Sequence, residues 1–471
     1  MKILFVVHIF FPNSRAGTEV YTLSLARTLR ESGHEVQIVC YEPRADTPAE
    51  FTVIDDTYDE LPVHRILFNQ NHPDGLLHEY FNPQVEKHLI GFYQRVQPDI
   101  VHVIHSMYLS AATITAAREL GLPVVCTVTD FWYICPTYRL LRVDDSICPG
   151  PVNFLQCIRC SCQLPSLKWR VIAQLGRSDA ITRLLRPAAE RLIEARSLSS
   201  MPALRKLRSV MERPRRLREI LSQADVLVVP SENTHRVLVE NGISARRMVV
   251  LGFGLSLPRE IYPVKELSVK LRLAFIGTLN HTKGAHIAIE AVRRLPGRQS
   301  IELTIYGDTE ANLQYFARLK RIAGSDRRIK FAGTFPNERI GEIFSKIDLL
   351  IVPSLWYENT PLVLYSAFAA KTPVAVSDVG SLADAVRHGE NGLVFKMGNS
   401  EDLARQIQDV LDDRSLLEKL RQGIPPVKSI EQNARELLEI YAALSVHPAV
   451  AKPQTEVTTL SKWLESVRGS S

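Results

Sequence analysis

Residues 353–395 read PSLWYENTPLVLYSAFAAKTPVAVSDVGSLADAVRHGENGLVF, and this stretch decides the fold. The largely apolar run at 348–352 just before it predicts a buried strand, and the run at 373–376 predicts a second one. Pro361 marks the start of an apolar helix between the two strands. The loop that joins the first strand to this helix contains three polar residues, Glu358, Asn359 and Thr360. A strand–loop–helix–strand unit of this kind is typical of a parallel sheet covered by helices.

The predicted helix start has the properties of an anion site. Proline suits a first helical turn because its missing N–H has no intrahelical partner there, and Thr360 is placed to act as the N-cap. The amides of Leu362 and Val363 then lack helical acceptors and lie at the positive end of the helix dipole. A carboxylate beside such a site suits a nucleotide-activated sugar, with the amides on the diphosphate and Glu358 on sugar hydroxyls.

These residues resemble the signature of the retaining GT-B glycosyltransferases of family 4, in which seven residues separate two glutamates. Glu358 fits the first position, and Ser366 occupies the second, where the family contacts the nucleotide ribose. The resemblance implies an α/β fold of the GT-B type, with two doubly wound Rossmann-like domains facing a central cleft. It also implies a nucleoside-diphosphate sugar donor and catalysis that requires no metal or other cofactor.

The rest of the chain independently favours two such domains. Short apolar runs alternate with helix-like stretches from Ile3 to about Val229, and the pattern starts again at Leu271. At 471 residues the chain has room for about two or three domains. The sequence contains no GxGxxG motif, so the fingerprint of nicotinamide or flavin binding is missing.

The linker between the domains is expected near 257–270, where two prolines interrupt any helix or strand. The predicted parts are an acceptor-side domain at 1–258 with a Cys-rich and basic helical insertion at about 131–221, a nucleotide-sugar-binding domain at 259–427, a helix at 428–445 and a loose tail at 446–471. The family resemblance implies that the helix at 428–445 crosses back to the first domain.

Two further loops contribute candidate donor-binding residues. Gly17 lies just before a predicted helix, where glycine lets the backbone approach a ligand closely. In FIGTLNHTKG, residues 275–284, Lys283 can act on a phosphate as a point charge and stabilise a leaving diphosphate. The family usually has an arginine where this chain has Thr278.

Candidate acceptor-side residues follow two strands of the first domain. In VVCTVTDFWYICP, residues 124–136, this chain has Thr129-Asp130 where the family frequently carries His-Asp close to the donor sugar or the acceptor. His105 ends the preceding strand and is a second candidate, although a lone histidine at a strand end is more often structural. The candidate catalytic set is therefore Glu358, Lys283 and Asp130, with His105 and Thr129 on the acceptor side.

Three positions that the family usually fills with stronger polar groups hold Thr129, Thr278 and Ser366. A second hypothesis follows, in which the chain is a non-catalytic GT-B binding protein with a degenerate donor site. A third hypothesis, a nucleotide-sugar epimerase of the same fold, would need further acid/base carboxylates that the sequence does not place.

Four of the seven cysteines have the spacing Cys135-x12-Cys148-x8-Cys157-x2-Cys160. Four thiolates suit a tetrahedral structural zinc, whereas no grouped histidine or acidic residue suits a catalytic one. Reduced cysteines in an insertion that needs no metal are the alternative, and disulfides remain open. The odd number of cysteines favours a reducing compartment.

Residues 166–221 contain fourteen Lys/Arg and five Asp/Glu, so their local net charge is +9 while the whole chain carries +6. Apolar residues recur there at helical spacing, which predicts basic amphipathic helices on an anionic membrane surface, with Trp169 as an interfacial anchor. A solvated helical insertion is the other interpretation. Nucleic acid is disfavoured as a partner, because aromatic residues for base stacking are almost absent.

The N-terminal run KILFVVHIFF has no small-residue cleavage site and is predicted to be a first strand, not a signal peptide. No uncharged apolar run reaches 18 residues, so no spanning helix is expected. We therefore expect a cytoplasmic protein that is peripheral on the inner face of the membrane. The leading hypothesis is a retaining glycosyltransferase that moves a sugar from a nucleoside-diphosphate sugar to a glycan or lipid-linked acceptor, in surface polysaccharide or glycolipid biosynthesis.

Overall fold

The structure is a computed structural model that describes residues 1–43, 51–69, 80–151, 154–161, 202–244, 248–256, 268–446 and 459–468, and single residues at 184 and 187. The chain forms two compact units. Unit 1 comprises residues 1–253 and 431–471, and unit 2 comprises residues 254–430. The expected linker at 257–270 lies largely outside the described residues, as does most of the basic segment with Trp169.

An eight-stranded sheet forms the centre of unit 1, in the order β3-β4-β2-β1-β5-β6-β7-β8. The strands are β1 (Lys2–Val7), β2 (Glu35–Tyr41), β3 (Thr52–Tyr58), β4 (Leu61–Leu67), β5 (Ile100–Val103), β6 (Val124–Thr127), β7 (Val226–Val229) and β8 (Met248–Val250). Only β3, which is antiparallel to β4, departs from a parallel arrangement in this sheet of the described chain. Every residue of β5, β6 and β7 is buried, which explains why these strands are continuous apolar runs.

Among the described residues, the helices of unit 1 that precede its second segment are α1 (Gly17–Glu31), α2 (Pro83–Val96), α3 (Ala112–Glu119), α4 (Phe154–Ser161), α5 (Pro202–Leu221) and α6 (Glu232–Glu240). Local sequence explains several starts. The Asn82 side chain accepts from the amides of Gln84 and Val85, and Pro83 takes the first helical position of α2. Ser231 caps α6 by accepting from the Thr234 amide.

Unit 2 contains a six-stranded parallel sheet in the order β11-β10-β9-β12-β13-β14. Its strands are β9 (Leu271–Ile276), β10 (Ile301–Tyr306), β11 (Ile329–Gly333), β12 (Leu349–Val352), β13 (Val374–Ser377) and β14 (Gly392–Phe395). Its helices are α7 (Ala285–Arg294), α8 (Leu313–Ala323), α9 (Ile340–Ser345), α10 (Leu362–Ala369), α11 (Gly380–Ala385), α12 (Ser400–Asp412) and α13 (Ser415–Gln422). The predicted α/β class with two doubly wound Rossmann-like domains is thereby confirmed.

Each sheet has one point where the strand order reverses direction. In unit 1 the chain proceeds outward from β1 through β2 on one side and from β5 through β6 on the other. In unit 2 the corresponding neighbours are β9 and β12. Ligands of doubly wound sheets bind outside the carboxyl ends of the strands at such switch points. The loops after β1, β5, β9 and β12 are therefore the places where the fold favours a site.

The last two helices, α14 (Ile430–Val446) and α15 (Leu460–Arg468), belong to unit 1 apart from the first residue of α14. In α14, Tyr441 Oη and His102 Nδ1 of β5 share a hydrogen bond of 2.5 Å, and Asn433 accepts one of 2.8 Å from Tyr21 Oη. The expectation of a loose tail at 446–471 is wrong for α15. Residues 460–468 form a helix that contacts β8, and Trp463 of that helix is only 2% exposed, so this part of the tail packs on unit 1.

The described part of the insertion at 131–221 contains α4 and α5, which contact each other. Arg213 of α5 is buried, donates to the Trp132 carbonyl oxygen at 2.6 Å and lies 5.1 Å from the Trp132 ring centroid. Among the helices of the described residues, none combines the length and the apolar character that crossing a membrane requires.

Candidate functional site

In unit 2 the loops after β9 and β12 interlock at the switch point. Leu355 N–H donates to the Thr282 carbonyl oxygen at 2.8 Å. Gly284 has a φ of +74°, and a Cβ there would overlap the Pro353 carbonyl oxygen, so only glycine fits without displacing that loop. The short 3-10 turn His281–Lys283 is capped by the Asn280 side chain, which accepts from Lys283 N–H at 3.0 Å. These contacts fix the backbone position from which the Lys283 side chain extends.

Lys283 and Glu358, predicted separately, form an ion pair in the structure. Lys283 Nζ lies 2.6 Å from Glu358 Oε1, and the same oxygen accepts from Ser354 Oγ at 2.7 Å and from Trp356 Nε1 at 2.9 Å. Lys283 Nζ also lies 5.3 Å from the Trp356 ring centroid, within cation–π range. The result is a fixed cation and a fixed, almost fully buried carboxylate side by side at the carboxyl end of the sheet.

The first turn of α11, which follows β13, holds the backbone of Glu358. Ser381 donates to the Glu358 carbonyl oxygen twice, from its hydroxyl and from its amide. Gly380, which precedes Ser381, has a φ of +57°, and a Cβ there would press on Tyr357. The loops after β9 and β12 and the first turn of α11 therefore determine the position of the Glu358 side chain.

The prediction of Thr360 as the N-cap of the following helix is wrong. Pro361 takes that position with extended backbone (φ −70°, ψ 104°), and its carbonyl oxygen accepts from Leu364 N–H at 2.9 Å. Proline is extended here and not in the first turn, so α10 starts one residue later than Thr360 capping requires. Thr360 Oγ1 is buried without a hydrogen-bond partner in the part of the chain that the structure describes. The amides of Leu362 and Val363 still form the first turn of the helix.

The remaining predicted donor-binding residues differ in their surroundings. Ser366 is buried and donates to the Leu362 carbonyl oxygen at 3.0 Å, which uses its hydroxyl inside the helix. Asn359 is buried next to Glu358, whereas Thr278 is exposed just after β9. Gly17, in unit 1, is exposed and is the first residue of α1.

In unit 1 the switch point brings together four side chains, His8, Glu19, His105 and Asp130, which we call the switch-point cluster. The His8 and His105 ring centroids are 4.5 Å apart. His8 Nε2 lies 3.2 Å from Glu19 Oε1, and His105 Nε2 lies 3.0 Å from Asp130 Oδ2. The Thr129 side chain does not join this cluster, since its hydroxyl donates to the Ile104 carbonyl oxygen at 3.5 Å.

Burial sets the protonation of the inner pair of this cluster. Burial, and secondarily the neighbouring His105, lowers the pKa of His8 well below its ordinary value. Burial raises the pKa of the Glu19 carboxyl, while nearby backbone amides, the Ser14 hydroxyl and His105 oppose that rise. His8 is therefore a neutral imidazole at physiological pH.

His8 and Glu19 are functional candidates that the sequence interpretation missed. His8 directly follows β1, and Glu19 lies in the first turn of α1. A polar residue at the end of the first apolar run was the available signal for His8. The pairing of Glu19 with it depends on how α1 packs, which periodicity does not report.

Cys135, Cys148, Cys157 and Cys160 line one pocket together with parts of residues 134–151. All four are free thiols. Burial raises the pKa of Cys157, and the other three thiols raise it further. Within the described residues, no group of three or more His, Cys, Asp or Glu side chains is arranged to hold a metal ion.

Comparison with known proteins identifies the family of the chain. The family model for glycosyl transferases group 1 matches residues 262–425, and that for the glycosyl transferase 4-like domain matches residues 16–148. The two doubly wound domains and the two family models together identify a GT-B glycosyltransferase. The chain belongs to the group 1 glycosyltransferases of the family 4 type.

Among sequence relatives, D-inositol 3-phosphate glycosyltransferase of Nocardia farcinica is 32% identical over 248 residues, covering 48% of this chain and 54% of the relative. The protein of the same description from Rhodococcus erythropolis is 25% identical over 443 residues, covering 92% of this chain and 87% of the relative. For several curated relatives the match spans about half of their length.

Solved structures show the same fold. Sucrose-phosphate synthase from Thermosynechococcus elongatus has a TM-score of 0.64 at 17% identity, covering 94% of this chain and 99% of that chain. Anabaena HepE in complex with UDP has a TM-score of 0.62 at 16% identity, covering 94% of this chain and 100% of that chain. At these identities the likeness concerns the fold alone.

Proposed function

We propose that the protein is a retaining, metal-independent glycosyltransferase that uses a nucleoside-diphosphate sugar, with Glu358 and Lys283 as its central donor-site residues. The observation that supports this most is their ion pair at the unit 2 switch point, in the loops that precede α7 and α10. A cation and helix amides suit a diphosphate, and a fixed carboxylate suits sugar hydroxyls.

In the proposed reaction the bond between the sugar anomeric carbon and the diphosphate oxygen breaks. The acceptor hydroxyl oxygen forms a new bond on the same face, and its proton passes to the departing diphosphate. Lys283 and the amides of Leu362 and Val363 stabilise the negative charge that builds up on the diphosphate. Glu358 orients the sugar by accepting hydrogen bonds from its hydroxyls.

The acceptor is proposed to be a glycan or a lipid-linked glycan, in the synthesis of surface polysaccharide or glycolipid at the inner face of the membrane. Support comes from the excess of Lys and Arg at 166–221. Vesicle co-sedimentation tests the membrane part. Binding to vesicles with 30% anionic lipid, and not to neutral vesicles, is the expected result, and equal partition contradicts it.

The donor site is tested by titrating UDP, GDP, dTDP and ADP into wild type and Lys283→Ala. UDP is the first choice, since HepE was solved with UDP. Losing one charged hydrogen bond to the diphosphate corresponds to about 2 kcal/mol, or roughly thirtyfold in Kd. Lys346→Ala is the matched control, because Lys346 also pairs with a carboxylate of unit 2, at 3.0 Å from Glu342, but on the exposed surface.

A second candidate function is a non-catalytic binding protein that kept the fold. It is favoured by Ser366, whose hydroxyl is engaged inside α10, and by Thr278 in the place of a family arginine. It predicts no nucleotide binding by wild type and no loss of function in Glu358→Ala. Binding of one nucleotide that is lost in Lys283→Ala contradicts it.

We also propose that Cys135, Cys148, Cys157 and Cys160 hold a structural zinc. The chemistry of four free thiols lining one pocket supports it, and Arg213 nearby favours the Cys157 thiolate. The thiols have to close around the ion, since they are not arranged as a ligand group in the described residues. Metal analysis of purified protein tests it: one zinc per chain in wild type and less than about a tenth in Cys157→Ser supports it, and no zinc in wild type contradicts it.

A further inference from the structure

The switch-point cluster of unit 1 has a hydrogen-bond pattern that assigns each member a role. His105 Nδ1 accepts from Met107 N–H at 3.0 Å, so that nitrogen carries no proton. Nε2 must then carry the proton and donate it to Asp130 Oδ2 at 3.0 Å. Both ring nitrogens are therefore occupied. His105 is a positioning residue for Asp130 and has no free nitrogen for a substrate.

Asp130 keeps acceptor capacity that the protein does not use. Its Oδ1 accepts from Trp132 N–H at 2.8 Å, and its Oδ2 accepts from His105. A carboxylate has about four lone-pair directions, so these two bonds leave room for further donors. The side chain is 17% exposed, which allows a ligand to reach it.

The inner pair, His8 and Glu19, also has unused acceptors. His8 Nδ1 and Glu19 Oε2 are buried without a hydrogen bond of good geometry in the described chain, while the Ser14 hydroxyl and nearby backbone amides lie close to the Glu19 carboxyl. Glu19 Oε1 faces His8 Nε2 at 3.2 Å, which favours the proton on Nε2 and leaves the Nδ1 lone pair free. Unmet acceptors at a buried position are unfavourable unless a donor completes them.

The two carboxyl groups of the cluster pair with histidines. The ion pairs of Glu19 and Asp130 in the described part of the chain involve only His8 and His105, without lysine or arginine. A phosphate brought here would lie beside two carboxyl groups, neither of which is paired with a lysine or an arginine in the described part of the chain. Hydroxyl groups, in contrast, donate to each of the unused acceptors.

We propose that the switch-point cluster binds the hydroxyl groups of a polyol acceptor that carries no phosphate, with Asp130 accepting the hydrogen bond and His105 holding Asp130 in place. This inference rests on the proposed glycosyltransferase function and adds the chemical class of the acceptor. It also makes Glu19 and His8 part of the acceptor side, beyond the residues that sequence motifs indicated.

The test uses matched pairs of probes, glucose with glucose 6-phosphate and myo-inositol with myo-inositol 1-phosphate, added to the full chain saturated with UDP. Ligand-observed NMR gives a Kd for each probe. We expect the neutral member of at least one pair to bind tenfold or more tightly than its phosphate. Asp130→Asn should weaken the neutral member about tenfold, because one charged hydrogen bond is lost, while the UDP Kd stays unchanged.

The positioning role of His105 is tested by a double-mutant cycle. His105→Ala should weaken the neutral probe, and His105→Gln should restore most of the affinity, because its amide can donate to Asp130. In the Asp130→Asn background, His105→Ala should have no further effect. An effect of equal size in both backgrounds would show a merely structural role and overturn the assignment.

Two other results overturn the inference. One is that no pair shows at least tenfold tighter binding of its neutral member, and the other is binding of neither pair by a wild type that still holds UDP. Absence of UDP binding by wild type is a different result, since it counts against the proposed donor site and not against the acceptor chemistry.

Discussion

Replacing Glu358 by Gln should separate nucleotide binding from sugar transfer. In the structure Lys283 Nζ lies 2.6 Å from Glu358 Oε1, so Lys283 has to leave or share this partner when it turns to a diphosphate. Glutamine keeps the shape of the side chain and removes its charge. The variant therefore releases Lys283 for the diphosphate while it removes the charged acceptor proposed for the sugar hydroxyls.

The size of both effects follows from the burial of the pair. The Lys283 side chain is 28% exposed, so solvent screening reduces the pair to about 1 kcal/mol, and its loss should tighten UDP roughly fivefold. Removal of a charged hydrogen bond to the sugar corresponds to about 1.5–3 kcal/mol, so kcat/KM for sugar transfer should fall roughly ten- to hundredfold.

Calorimetric titration with UDP and release of sugar from UDP-glucose measure the two effects on the same protein. Glu342→Gln is the matched control, because Glu342 pairs with Lys346 at 3.0 Å on the exposed surface of unit 2. It should change neither quantity. If Glu358→Gln loses UDP affinity to the extent expected for Lys283→Ala, then Glu358 supports Lys283 and does not compete for it, and the reasoning is refuted.

Two more predictions concern stability. Gly284→Ala should destabilise unit 2 by more than about 3 kcal/mol in chemical unfolding, because the new Cβ would overlap the Pro353 carbonyl oxygen. Gly389 is the control, since it has a similar φ of +77° but no atom within 4 Å of an added Cβ, and Gly389→Ala should cost only about 1–2 kcal/mol. Equal losses in the two variants would contradict the steric argument. Burial lowers the pKa of His102 to about 3 from 6.5, so below pH 6.5 the unfolded chain binds a proton that the folded chain does not. The free energy of unfolding of unit 1 should therefore fall by up to about 1.4 kcal/mol per pH unit from pH 6.5 towards 3. Thermal unfolding between pH 7.5 and 5.5 measures this slope, and His102→Gln should reduce it. An unchanged slope would exclude His102 as the cause.

The sequence was sufficient for the elements whose signal is local. The runs that became β12 and β13 are buried at every position, so apolar continuity reported them directly. Lys283 and Glu358 were each recognisable from their loops. Their contact was not, because 75 residues separate them and only the order β9-β12 makes them neighbours.

The errors have equally specific causes. Thr360 failed as a cap because the backbone of Pro361 is extended, a choice that the Thr-Pro dipeptide leaves open. The tail prediction failed at α15 because the burial of Trp463 depends on distant parts of unit 1. Only His105 and Asp130 of the switch-point cluster were recognised, because nothing in the sequence shows that His8 and Glu19 lie beside His105.

The return of α14 to unit 1 has a consequence for synthesis on the ribosome. His102 of β5 cannot form its hydrogen bond with Tyr441 until Tyr441 has been translated, 339 residues later. Translation of unit 2, in contrast, is complete at residue 430. The backbone contacts of Leu255 with Lys428 and Ile430 close unit 2 on itself. Unit 2 can thus finish folding before the unit that precedes it in the chain, and a nascent chain stopped before α14 would carry an incomplete unit 1.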